Sequence, residues 1–146
     1  SASVTDIPKV VFLLCRMHGE AGMGSLNLEK VEQYVGGCLR SGVILVVEKD
    51  DELLAVMGLR FQSFWWCDDA ALMDAFTYVA PEARRTRAFR MLFDKARSMA
   101  EDAKVPLVMA NFGPVDEERK SKLFRRLGTP LGTTIISGDT SKFLWK

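Results

Sequence analysis

The chain has 146 residues, 48% of them hydrophobic and 27% charged, with 20 Lys+Arg set against 19 Asp+Glu. That length fits one domain, 1–146, and is enough to bury roughly two-thirds of the unfolded surface. Ample apolar content excludes disorder as the main state, and the even charge balance excludes a strongly basic protein that coats nucleic acid. Cys15, Cys38 and Cys67 match no zinc or redox spacing, so no metal is expected and reduced thiols in the cytoplasm are. Ser1–Pro8 carries no basic patch followed by an apolar run, so no secretory signal is expected. The longest apolar stretches, Val10–Cys15 and Val43–Val47, are too short to cross a bilayer, and no membrane partner is expected.

Asp6-Ile7-Pro8 is expected to open the first helix, with Asp at the N-cap and Pro in the first turn. Ile7, Val10, Val11, Leu14, Cys15 and His18 recur at three- and four-residue steps, one buried helical face. Gly19, Gly22 and Gly24 are expected to break that helix into a flexible loop. Asn27 can cap a second helix with Leu28, Val31, Val35, Cys38 and Leu39 inward, stopped at Ser41-Gly42. The period then shortens. Val43–Glu48 and Leu53–Phe61 read as strands joined by a hairpin at Lys49-Asp50-Asp51-Glu52.

An aromatic and acidic loop, Phe64 to Asp69, leads to a third strand over about Leu72–Val79. Simple alternation puts Leu72, Asp74, Phe76 and Tyr78 on one face of it. Pro81 ends the strand, and a long helix is expected from about Arg85 to Ala103 with Ala88, Leu92, Ala96, Met99 and Ala103 inward. Pro106–Ala110 reads as a short strand, and Asp116–Leu127 as a charged helix with Leu123, Phe124 and Leu127 inward. Leu131–Ser137 and Lys142–Trp145 read as two further strands about a Gly138-Asp139 turn. A strand, a crossover helix and another strand imply a parallel pair with a right-handed crossover. The class is therefore α/β: a mixed, mostly antiparallel sheet with helices on both faces and one parallel pair.

The segment Val79-Ala80-Pro81-Glu82-Ala83-Arg84-Arg85-Thr86-Arg87-Ala88-Phe89-Arg90 holds four arginines at a helix start. Unpaired N–H groups at such a start form an anion site, and guanidinium groups reinforce it for phosphates. A solvated helix start with Glu82, Asp94 and Glu101 as partners accounts for the same charges. However, arginine at a helix N-terminus opposes the helix dipole, which a bound anion would relieve.

Here the chain resembles the GNAT superfamily, the acyl-CoA-dependent N-acyltransferases. Val79-Ala80-Pro81 and Arg84 match the family's strand-ending Val-x-Pro and the Arg/Gln that opens Arg/Gln-x-x-Gly-x-Gly/Ala; Leu123-Phe124-Arg125-Arg126-Leu127-Gly128 is similar to its Leu-Tyr-x-x-Leu-Gly-Phe. The order of elements agrees along nearly the whole chain, and Asn111 stands where many members carry an Asn near the cofactor. Met17-His18-Gly19-Glu20 is similar to small bacteriophage-encoded members, which implies host cytoplasm or a virion. The resemblance implies acetyl-CoA held by Tyr78, Val79, Arg84, Arg85, Thr86, Arg87, Ala88, Phe89, Asn111 and Phe124, and direct attack of an amine on the thioester.

Two departures stand out. Arg87 and Phe89 replace the family's glycines, where a bare backbone approaches the pyrophosphate closely, and in phage-type members the Gly falls at Thr86 instead. Phe124 replaces the Tyr that often protonates the leaving thiolate. These departures motivate the alternative of a catalytically degenerate GNAT-fold protein serving as a binding or structural component, such as part of a phage particle.

Candidate bases are Asp74, a carboxylate in an otherwise buried strand, Glu20 after the first helix, and His18. Each also has a plain structural reading: a paired strand carboxylate, a loop acid and a packing histidine. The amine acceptor would lie toward Glu20, Trp65 and Asp74. His18-Gly19-Glu20 copies the His-x-Glu of zinc deaminases, yet no Pro-Cys-x-x-Cys accompanies it. Arg84–Arg90 and Arg119–Arg126 could meet nucleic acid, but Glu117, Glu118 and the charge balance oppose a broad footprint. A strand-ending C-terminus and exposed aromatics fit a homodimer or larger assembly.

Overall fold

The computed structural model describes residues 1–110 and 117–129. A 3-10 turn at Val4–Asp6 leads into α1 (Ile7–Ala21), followed by α2 (Leu28–Ser41), β1 (Gly42–Lys49), β2 (Glu52–Ser63) and β3 (Ala70–Val79). A second 3-10 turn at Pro81–Ala83 precedes α3 (Ala88–Asp102), β4 (Leu107–Val108) and α4 (Glu117–Leu127). The described strands form one sheet in the order β1-β2-β3-β4, with two antiparallel pairings and a parallel β3–β4 pair. The α/β class with a mixed sheet is thus what the chain adopts, with one parallel pair among the described strands. The expected strands Leu131–Ser137 and Lys142–Trp145 lie outside the described residues.

The two faces of the sheet carry separate cores. α1 and α2 cover one, where Val10, Leu14, Val35 and Cys38 pack on Ile44, Val56, Phe76 and Tyr78. α3 covers the other, where Ala88, Leu92, Ala96 and Ala100 pack on Leu45, Met57, Leu59 and Leu72. Small alanines at four-residue spacing let α3 approach the sheet closely, as its inner stripe implied. The last inward residue is Ala100 rather than Ala103, because the helix ends at Asp102.

Local signals account for most boundaries. Asn27 Oδ1 accepts the Lys30 N–H at 3.0 Å and caps α2. Asp50 and Asp51 both take positive φ (52° and 65°), the type I′ pattern whose twist suits a two-residue hairpin. Leu28, expected inward, is exposed.

Three expectations need correction. Asp6 does not cap α1 with its side chain; it accepts Ser3 N–H at 2.7 Å and closes the preceding 3-10 turn. Gly19 does not break α1, which runs to Ala21 and stops at Gly22 in the left-handed conformation (φ 65°). Strict alternation fails in β3. Gly58 opposes Phe76 and Leu59 opposes Asp74, so Ala75 is an extra residue and forms a bulge. Leu72 therefore joins the α3-side core while Phe76 and Tyr78 join the α1/α2 side.

Candidate functional site

The β3–β4 ladder consists of two pairs, Leu72 with Leu107 and Met73 with Val108. Past it no further backbone pair joins the two segments among the described residues. A cavity of about 600 Å³ opens there, bounded by Thr77, Tyr78 and Val79 of β3, the loop from Ala83 to Thr86, the first turn of α3, Ala110, and one face of α4. Met17, Glu20 and Ala21 of α1 close its far side.

The loop entering α3 differs from the sequence expectation. The helix begins at Ala88, not Arg85, because the chain spends residues 84–87 on a turn in which Arg85 is left-handed (φ 69°). That conformation costs a non-glycine residue about 1 kcal/mol, a strain placed at the cavity wall. Thr86 stabilises the turn: its hydroxyl donates to the Ala83 carbonyl at 2.6 Å and accepts the Ala88 N–H at 3.2 Å. Met91 N–H is the first to bond back, to Arg87, which leaves the N–H groups of Phe89 and Arg90 without an acceptor inside the helix. Phe89 itself lines the cavity. Its ring stacks with Phe93 at 6.0 Å, meets Phe124 edge-on at 6.2 Å and packs toward the α3-side core.

Cations dominate the charged groups of the described lining. Arg84, Arg85 and Arg90 come from the loop and α3, and Arg119, Lys120, Lys122 and Arg126 from α4, with Glu20 as the lone acid among the described lining residues. Arg90 also pairs with Asp94 at 2.9 Å, and Lys122 with Glu118 at 2.7 Å. Arg85 has no acidic partner among the described residues. Arg87 is exposed and is not part of the lining.

Arg84 is committed to protein. Its guanidinium pairs with Glu20 and donates Nε–H to the Val79 carbonyl at 3.1 Å, so it ties the end of α1 to the end of β3. Tyr78 donates its hydroxyl to the other oxygen of Glu20. Burial pushes the Glu20 carboxyl up, but the hydrogen bonds from Tyr78 and Arg84 outweigh it and hold the group below the usual carboxylate range. Burial and the bond to Glu20 push the Tyr78 phenol to about 12. Just outside, Arg16 grips Glu82 with two bonds of 2.8 and 2.9 Å, and that pairing lowers Glu82 to about 2.

Asp74 lies deeper. Its Oδ1 accepts Ala110 N–H at 2.7 Å and its Oδ2 accepts the Thr77 hydroxyl at 3.3 Å. Burial pushes its carboxyl above the ordinary aspartate value in spite of these bonds. It is not part of the cavity lining, although both partners are.

The structure thus brings together Glu20, Tyr78, Val79, Arg84, Arg85, Thr86, Phe89 and Phe124 around one cavity. Ala88 stands just behind, buried under the helix start. Asn111 lies outside the described residues. His18 bonds the Gly24 carbonyl through Nε2 at 3.1 Å, a packing role. Trp65 and Trp66 sit in the loop before β3, at the opposite end of that strand from the cavity, and do not line it. The cationic face of α4 was weighed in the sequence only as a nucleic-acid footprint; its spacing 119, 120, 122, 126 was the available sign that it faces a shared site. Among the described residues no group of three or more His, Cys, Asp or Glu side chains could hold a metal, and no helix is long and apolar enough to cross a membrane.

No protein-family model matches this sequence. No curated protein matches it either. Solved structures do. A predicted acetyltransferase of Clostridium acetobutylicum, solved with acetyl-CoA, superposes with TM-score 0.73 over 94% of this chain and 92% of its own at 12% identity. The fold is that of the GNAT acetyltransferases. Ribosomal-protein-alanine N-acetyltransferase of Brucella melitensis biovar Abortus gives 0.71 over 94% of each chain at 16% identity. The aminoglycoside 6'-N-acetyltransferase AAC(6')-IG of Acinetobacter haemolyticus gives 0.67 over 94% of each at 17%.

Proposed function

We propose that the chain binds acetyl-CoA in the cavity between β3, α3 and α4 and transfers the acetyl group to an amine. One observation carries the reading: the end of the parallel ladder, N–H groups at the start of α3 with no backbone acceptor among the described residues, and a concentration of cations all meet in a single cavity. Each suits a different part of that substrate. The helix start and Arg85 suit the diphosphate, and the cations of α4 suit further phosphate charge. The part of the cavity lined by β3 and Ala110 suits the extended thioester arm, whose amides could take backbone partners from Thr77–Val79. The several negative charges of acetyl-CoA complement a lining whose described residues include seven cations and one acid.

In the reaction the amine nitrogen attacks the thioester carbonyl, the C–S bond breaks, and the amine loses a proton while the thiolate gains one. What the protein supplies is chiefly positioning. Arg84 contributes by fixing the end of β3 rather than by meeting phosphate, since Glu20 and Val79 already occupy it. Glu20, kept ionised by its two donors, is a weak proton acceptor near neutral pH. Phe124 has no hydroxyl and serves as an aromatic wall with Phe89, so the thiolate takes its proton from water. The acceptor is an amino-bearing small molecule or protein.

A panel of primary amines, amino acids, polyamines, aminoglycosides and peptide N-termini incubated with acetyl-CoA tests the reading. Free thiol is followed by Ellman's reagent and products by mass spectrometry. Acetylated product above the protein-free rate from one amine class supports it. Binding of acetyl-CoA with no product from any class returns the chain to a non-catalytic, binding role.

A further inference from the structure

The β3–β4 ladder stops after two pairs, and a side chain makes the next link. After Met73 with Val108, the next described link between the two segments is not a backbone rung. Ala110 N–H donates to Asp74 Oδ1 at 2.7 Å, so a side chain stands where a strand carbonyl would otherwise accept. Strands that exchange rungs lie about 4.8 Å apart. A carboxymethyl arm inserted into that link adds its own length between the two backbones. Thr77 and Ala110, the two partners of that carboxylate, both line the cavity.

The arm is fixed at both oxygens. Thr77 Oγ1 donates to Oδ2 at 3.3 Å, from the same strand. The bulge at Ala75 sits between Asp74 and Thr77, and a bulge bends and twists the strand that carries it. Asp74 therefore occupies the vertex of the opening, between the last true rung and the first residues of the cavity wall. A group with both oxygens engaged this way is built to hold a distance.

We infer that Asp74 is a positioning residue: its carboxylate bridges Ala110 and Thr77, props β3 and β4 apart, and so sets the width of the slot for the thioester arm of acetyl-CoA. The slot's occupant rests on the proposed function; the strut does not. This role differs from that of a general base in one decisive respect. An amide oxygen can accept the Ala110 N–H as a carboxylate does, but an amide cannot take a proton from an amine.

Asp74→Asn and Asp74→Ala separate these roles when each is read in two ways. Hydrogen exchange of the Ala110 amide, followed by NMR on the full chain, reports the strut without any ligand. Calorimetric titration with acetyl-CoA reports the slot. The strut requires that Asp74→Asn keep Ala110 protected and bind acetyl-CoA within about threefold of wild type. It requires that Asp74→Ala lose that protection and bind at least tenfold more weakly. Asp74→Ala with wild-type protection and affinity overturns the inference, as does Asp74→Asn behaving like a full loss. Should Asp74→Ala fail to fold, Asp74→Asn decides alone by the same two readings. If wild-type protein shows no heat with acetyl-CoA while Ala110 protection follows the expected pattern, the strut stands and the proposed function fails.

Discussion

Gly58→Ala places one methyl group where the structure has no room for it. An ideal Cβ at Gly58 would sit 2.5, 2.7 and 2.9 Å from three atoms of the Phe76 ring across the β2–β3 pairing. Ordinary carbon contacts lie at about 3.5–4.0 Å, so the ring must retreat by roughly 1 Å. Phe76 is only 8% exposed and packs in the core beneath α1 and α2, with Tyr34 6.3 Å away, so retreat means displacing other buried groups. Overpacking of this kind costs about 1–3 kcal/mol. The gain from replacing a strand glycine is roughly 0.5–1 kcal/mol. The net expectation is a loss of about 1–2 kcal/mol, which for a chain of this size lowers Tm by roughly 3–6 °C. Paired thermal melts and urea titrations measure it. A variant as stable as wild type, or more so, would refute the packing described for the bulged part of the sheet.

Further outcomes follow from the same structure. Asn27→Ala removes the acceptor for Lys30 N–H at the start of α2 and should cost about 1 kcal/mol in urea unfolding; no change in midpoint would contradict the cap. Glu82 is depressed to about 2 by Arg16, so its contribution is present above the unfolded carboxylate value and fades as pH falls from about 4.5 toward 2. Tm measured across that window should fall more steeply for wild type than for Glu82→Gln, and equal slopes would argue against the pairing. Trp65 is 92% exposed, so Trp65→Ala should leave stability within about 0.5 kcal/mol. A larger loss would mean that its ring packs.

Much of the fold was legible because apolar spacing reports burial directly. The stripe Ala88, Leu92, Ala96 on α3 and the pair Val35, Cys38 on α2 both face the cores they implied. The hairpin at Asp50-Asp51 was legible because few residue types accept positive φ there. What the sequence concealed depended on contacts between distant segments. No periodicity marks the bulge at Ala75, since an extra residue shows itself only against the partner strand. The start of α3 moved to Ala88 because Arg85 adopts a left-handed conformation that its side chain does not advertise. At the site, the arginine run was visible, but the commitment of Arg84 to Glu20, 64 residues earlier, was not. Asp74 was picked out as a buried carboxylate, whereas its tie to Ala110 is a property of the folded sheet alone.

Calorimetric titration of wild-type protein with acetyl-CoA tests the central claim most directly, run at low and at moderate salt. A saturable, one-to-one heat that weakens as salt rises is the predicted result, because the cavity offers phosphate charge a cluster of arginines and lysines. Absence of any saturable heat up to millimolar ligand would contradict the account.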